Sequence, residues 1–469
     1  MWSVNWPSLS LGFLSASAEA EGIRTAVFDL NLGLYRAVPE NLRTFWGWAN
    51  VKYWEDPRFV DLLFAVFSDR IETFVTEILA TGSRLVGFSV YESSRLFSIR
   101  MAREIKARSP STRIIFGGTG VDQPYWREMV PPSCCDAFAI GEGERTLVEA
   151  FHLLTAAEGI KAAVPGLMPI GQDCPPREQA PDLDAIPFPT WEGFPIGSYS
   201  APSLPLLFSR GCVSRCSFCT DTIYFKTYRH RSPENLVREM RAGLDRHGVR
   251  EFRFHDLMIN GSIEAFDGLC ECLISSRLSP RWTAMVMARK EMTAERYRRL
   301  LEAGCTDIDL GVESGSDRVL KIMRKWLTAE EIGNNIVRAA EAGIRVNISL
   351  VLGHPGEEEA DFMETLEFLK RHSASINRVN NINHCLVMFR SDIRNHPERY
   401  GVILPAPPDT AFFRWRTIDG KNTLEMRMGR VRRALEFCAS LGLNVSFANL
   451  FDGSPLDISP ALALIRKAP

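Results

Sequence analysis

The feature that most constrains this fold is a repeated alternation of short apolar runs with helical stretches. Between residues 205 and 388 the runs "LPLLFS", "VREFRFHDL", "RWTAMVMAR", "TDIDLGVES", "RVNISLVLGHPG" and "INRVNNINHCLVM" have the length and the β-branched or aromatic content of strands. Helical patterns separate them near 233–247, 262–275, 293–303, 328–342 and 358–371. Six strand–helix units in series predict a partial, TIM-like (β/α)6 barrel with a parallel sheet. In such a fold the loops at the C-terminal ends of the strands build the site.

The 469 residues are too many for one core, and two or three domains are expected. Residues 1–165 also alternate, with "SLSLGFLSASAEAEG" as a helix and "RTAVFDLN", "SRLVGFSVYESS", "TRIIFGGTG" and "CCDAFAIG" as strands. That pattern predicts an α/β, doubly wound, Rossmann-like domain, with ligands at its strand ends. The opening "MWSVNW" is barely a strand's length, so either this domain is trimmed or the native start lies upstream. It lacks the basic start of a secretory signal and reads as part of the fold. Residues 166–204 are proline-rich and read as a linker; 205–388 form the barrel, and 389–469 a small mixed C-terminal region.

Lys plus Arg number 55 and Asp plus Glu 57, a balance that gives no case for a nucleic-acid partner. No run of about 18 apolar residues occurs, so no membrane span is expected. Eleven cysteines over this length make no disulfide framework and indicate a reducing, cytoplasmic setting.

Three of those cysteines, Cys212, Cys216 and Cys219, follow the first barrel strand in "FSRGCVSRCSFCT". Gly211 and Ser214 argue for a loop. A buried helix face would need apolar neighbours, whereas Ser214, Arg215, Ser217 and Thr220 surround them. Structural zinc wants four closed ligands, and the nearest histidine, His230, lies eleven residues on. Three thiolates on a cubane of four irons leave one iron open for a substrate or cofactor.

The Cys-x3-Cys-x2-Cys spacing, with Phe218 before the last cysteine and a barrel strand before the first, resembles the radical S-adenosylmethionine (SAM) superfamily. The resemblance implies a [4Fe-4S] cluster whose open iron chelates SAM. Electron transfer then breaks a C–S bond and yields a 5′-deoxyadenosyl radical. It also implies an electron donor such as flavodoxin or ferredoxin. In "GVESGS", Glu313 and Ser314 resemble the polar residues that hold the ribose and methionine parts, though Ser316 could equally open a capped helix. Gly353 and Pro355 of "GHPGE" resemble the adenine-facing turn, Asp256 a partner of the methionine amine, and Arg289 a partner of its carboxylate. "KIMRK" (321–325) is a weaker match.

The front domain resembles the cobalamin-binding domain fused before many such enzymes. That resemblance implies Ser89, Gly117, Gly118, Thr119, Gly141, Gly143 and Glu144 as cobalamin contacts. The first histidine is His152, so the front sheet offers no histidine ligand to cobalt. Two readings remain: cobalamin bound without a protein histidine, or a domain that only docks substrate or caps the barrel. The expected activity is cobalamin-dependent methyl transfer to an unactivated carbon of a small molecule or peptide. The alternatives are radical cyclisation, ring rearrangement or oxidation; tRNA methylthio transfer, which would need three front-domain cysteines; and a non-enzymatic scaffold.

Overall fold

The computed structural model describes residues 4–156, 164–201, 203–405, 411–450 and 457–466. The chain divides into two compact units, residues 1–202 with 455–469, and residues 203–454. The stretch expected as a separate C-terminal region is therefore shared between both units.

In the front unit, β1 (Leu85–Ser89), β2 (Arg113–Gly117) and β3 (Ala137–Ala139) pair in parallel, and β4 (Leu167–Pro169) closes the edge antiparallel. Successive residues of a strand face opposite ways, and β2 uses both faces. Ile114 and Phe116 join a core with helices α3 (Pro57–Val66), α4 (Ser68–Ala80) and α5 (Arg95–Arg108). Ile115 faces Ala150 and Leu154 of α6 (Gly143–Thr155). Helices thus cover both faces of the sheet, as a doubly wound fold requires.

The expected strand "RTAVFDLN" is not one. Asp29 caps helix α2 (Leu30–Ala37), its carboxylate accepting from the Leu32 N–H at 2.9 Å. An N-cap of this kind directs the chain into a helix despite β-prone Val27 and Phe28. Residues 4 and 5 do not open the sheet either; their carbonyls accept from the N–H groups of Ser200 and Ala201.

The second unit is built on six parallel strands: β5 (Ser203–Leu206), β6 (Glu251–Phe254), β7 (Arg281–Met285), β8 (Cys305–Glu313), β9 (Arg345–Leu352) and β10 (Arg378–His384). They neighbour one another in chain order, the sheet of a partial (β/α)6 barrel. The intervening helices start on strong caps, such as Ser232 before Pro233 and the Thr328–Glu331 capping box. Asp309 on β8 accepts from Arg253, Asn347 and Asn380 on other strands, at 2.9, 3.0 and 2.7 Å. A helix at Leu424–Ser440 follows β10, and the chain then returns parallel to it through bridges Val379–Val445 and Ile382–Ala448. Among the described residues no helix is long and apolar enough to cross a membrane.

Candidate functional site

The cysteines sit on a closed loop beyond β5. Ser209–Arg210 pairs antiparallel with Arg229–His230, so residues 211–228 form its bight. Gly211 turns this corner at φ +88°, where a Cβ would lie 2.4 Å from the Thr227 carbonyl oxygen, leaving no room for a side chain. Arg215 staples the loop, donating to the carbonyls of Cys212 and Lys226 at 2.9 and 2.8 Å. Ser217, between the second and third cysteines, is fully buried.

Burial pushes the Cys216 thiol up to about 11 and raises that of Cys212; Lys325 opposes the shift at both. Thiols of this kind become thiolates when metal binds. Among the described residues no three Cys, His, Asp or Glu side chains converge as the ligands of one ion must. An all-sulfur set of three on one loop, each thiol serving a separate metal, fits an iron–sulfur cubane and not a closed zinc site.

The structure brings Glu313 to this loop. Glu313 ends β8 at φ +66°, a left-handed conformation costly for a residue with a side chain, beside a break in register with β9. It pairs with Lys325 at 3.4 Å, and both act electrostatically on Cys216. Lys325 comes from "KIMRK" (321–325). Phe218 packs on the apolar end of the barrel, against a core containing Val319, Val351 and Ile393.

Three further expected contacts meet groups of the protein itself. Asp256 is buried, and its carboxylate accepts from the Phe208 N–H at 3.0 Å and the Ser209 hydroxyl at 2.6 Å. Burial nevertheless pushes it up to about 7. It anchors the approach to the cysteine loop. The Arg289 guanidinium donates to the Asn260 and Gly261 carbonyls at 3.0 and 2.8 Å and pairs with Glu291. Ser314 is buried and accepts from the Ser316 N–H at 3.1 Å, so it stabilises the turn before helix Asp317–Ile322.

The turn at Gly353 and Pro355 is held by residues that sequence reasoning missed. Gly353 has φ +75°, and a Cβ there would lie 2.4 Å from Arg427 Cγ. Its N–H donates to Glu357 at 2.7 Å, and its carbonyl accepts from Asn422 at 3.0 Å. Glu357 forms a buried pair with Arg430 at 2.8 Å. Asn422, Arg427 and Arg430 lie about 70 residues downstream, where a charge run gave no sign of burial. Trp415 is fully buried beneath Arg427.

In the front unit the expected cobalamin contacts gather at the C-terminal ends of β1, β2 and β3. Ser89 meets Ser10 at 3.1 Å. Gly117 accepts from the Val90 N–H, and a Cβ at Gly118, φ +96°, would lie 2.7 Å from the Val90 carbonyl oxygen. That close approach joins two strand ends. Gly141 differs: its φ is +83° and open space surrounds the missing Cβ. Thr119 is exposed, Gly143 abuts Leu14, and Glu144 lies in the first turn of α6.

Residues 206–369 match the radical SAM superfamily. An uncharacterized methyltransferase of Pyrococcus horikoshii is 25% identical over 323 residues, 66% of this chain and 68% of that protein. Two solved structures share the fold. The methyltransferase TsrM of Kitasatospora setae, with cobalamin and a [4Fe-4S] cluster bound, is 18% identical at TM-score 0.63, covering 86% of this chain and 77% of that one. The cobalamin-dependent enzyme OxsB, with aqua-cobalamin and SAM bound, is 19% identical at TM-score 0.63 over 92% of this chain. The chain spans 59% of OxsB.

A parallel partial barrel with a three-cysteine loop at its strand ends is the site of a radical SAM enzyme. The match to that superfamily is carried by residues 206–369.

Proposed function

We propose that this chain is a cobalamin-dependent radical SAM methyltransferase acting on an unactivated carbon of a small molecule or peptide. The observation that carries the reading is the joining, in one chain, of the cysteine-loop barrel with a front unit of the fold seen in TsrM and OxsB. Cys212, Cys216 and Cys219 would hold the cluster. Glu313 and the turn at 353–355 would lie along SAM, with Lys325 balancing the charge of Glu313. Gly141 and the ends of β1–β3 would face the corrin. When bound, the cluster supplies a low-potential electron and cobalamin carries a methyl group. The protein holds these groups, and Phe218 packs against the apolar cluster of Val319, Val351 and Ile393 beside the loop.

A reducing cytoplasm and a flavodoxin- or ferredoxin-like electron donor complete the reading. The test is purification under argon after growth with cobalamin, followed by iron, sulfide and corrin analysis and a SAM-cleavage assay. Iron, sulfide, corrin and release of 5′-deoxyadenosine or S-adenosylhomocysteine are expected. SAM cleavage without corrin would leave the radical chemistry and overturn the methyl-transfer reading.

A further inference from the structure

Ser217 has every polar atom engaged. Its N–H donates to the Met323 carbonyl at 3.0 Å, and its carbonyl accepts from the Ile393 N–H at 3.1 Å. Its hydroxyl lies 2.8 Å from His354 Nε2. These partners come from segments that follow the fourth, fifth and sixth barrel strands. Ser217 and His354 are both fully buried.

The direction of the hydroxyl bond follows from the other ring nitrogen. His354 Nδ1 lies 2.8 Å from the Pro355 carbonyl, which can only accept, so Nδ1 carries the proton. Burial pushes the ring down to about 4, so it is neutral at neutral pH. Nε2 then has a lone pair, and Ser217 donates to it. The Tyr400 ring stands edge-on to His354, with centroids 6.1 Å apart, and fixes its plane.

We propose that His354 is a positioning residue for the cluster: its Nε2 holds the Ser217 hydroxyl and so sets the placement of Cys216 and Cys219. The inference rests on the cluster reading above. Ser217 lies next to Cys216 and two residues before Cys219, so its rotation moves both thiols. Without the ring acceptor the buried hydroxyl keeps only its contact with the Tyr400 hydroxyl, and the loop must turn to recover the lost bond.

Two near-isosteric variants separate the ring's two bonds. Glutamine can place an oxygen where Nε2 stands, whereas asparagine covers only the Nδ1 position. His354→Asn, His354→Gln, Ser217→Ala and the double variant Ser217→Ala/His354→Asn are reconstituted with iron and sulfide under argon. The readouts are the electron paramagnetic resonance spectrum of the reduced cluster, its change on adding SAM, and the rate of iron release to a chelator. Far-UV circular dichroism and the unfolding midpoint of the cluster-free chain report the fold.

His354→Asn and Ser217→Ala should release iron about tenfold faster than wild type, the scale of one net hydrogen bond. Their spectra should broaden, His354→Gln should restore both readouts, and the double variant should be no worse than either single one. A wild-type spectrum and release rate in His354→Asn would overturn the proposal. So would equal losses in the Asn and Gln variants with a lowered cluster-free midpoint, which marks a packing role alone. A wild-type chain that takes up no cluster would refute the cluster reading itself.

Discussion

Replacing Asp256 with asparagine should change how the stability of the chain depends on pH. In the folded chain the Asp256 carboxyl is pushed from its ordinary 3.8 up to about 7, because burial outweighs the donors at Phe208 and Ser209. Unfolding restores the ordinary value. Between pH 4 and 7 the folded state therefore holds a proton that the unfolded state has released, and this group makes stability fall as pH rises. The slope is about 1.4 kcal/mol per pH unit, so the three units amount to about 4 kcal/mol. The asparagine variant has no such proton. It carries a constant cost of about 1–3 kcal/mol where its amide faces a backbone N–H. Guanidinium unfolding of the cluster-free chain at pH 5, 6 and 7, followed by tryptophan fluorescence, reads the difference between variant and wild type. That difference should move in favour of the variant by about 3 kcal/mol from pH 5 to pH 7. A difference independent of pH would show that the donors win over burial, and would refute the argument.

Glu357→Ala should cost about 3 kcal/mol in the same assay, since it leaves buried Arg430 only the longer pair with Glu359, at 3.7 Å. Glu357→Gln, which can still accept from the Gly353 N–H, should cost less. In the front unit Gly118→Ala should lower the unfolding midpoint by the equivalent of about 1–3 kcal/mol, because positive φ and the Val90 carbonyl both oppose it. Gly141→Ala meets open space and should cost only about 1 kcal/mol. If the strand-end edge takes cobalamin, Gly141→Ala is also the variant that loses corrin absorbance.

Much of the fold was legible because both alternations are local patterns. Each barrel run became a strand in the expected order, and the cysteine loop lay where the spacing put it. The strand expected at 24–31 failed because Asp29 supplies a cap that outweighs local β preference. At the site, residue type revealed which side chains were polar but not which were already engaged. Asp256 and Arg289 meet backbone groups brought close only by the fold. His354 and Ser217 lie 137 residues apart, and Glu357 and Arg430 lie 73 apart, separations over which no periodic pattern operates. Glu313 was singled out from its motif, but its left-handed backbone was not legible, since only Gly, Asn or Asp advertise that conformation.

The central claim is that the 211–228 loop carries a three-cysteine iron–sulfur cluster. Mössbauer spectroscopy with iron and sulfide analysis, on chain purified under argon, tests it most directly. Wild type should hold about four irons and four sulfides per chain, and the Cys212→Ala/Cys216→Ala/Cys219→Ala variant should hold none and leave SAM intact. A variant that kept its iron and its SAM cleavage, or a wild type that bound a single zinc ion in the loop, would contradict the account.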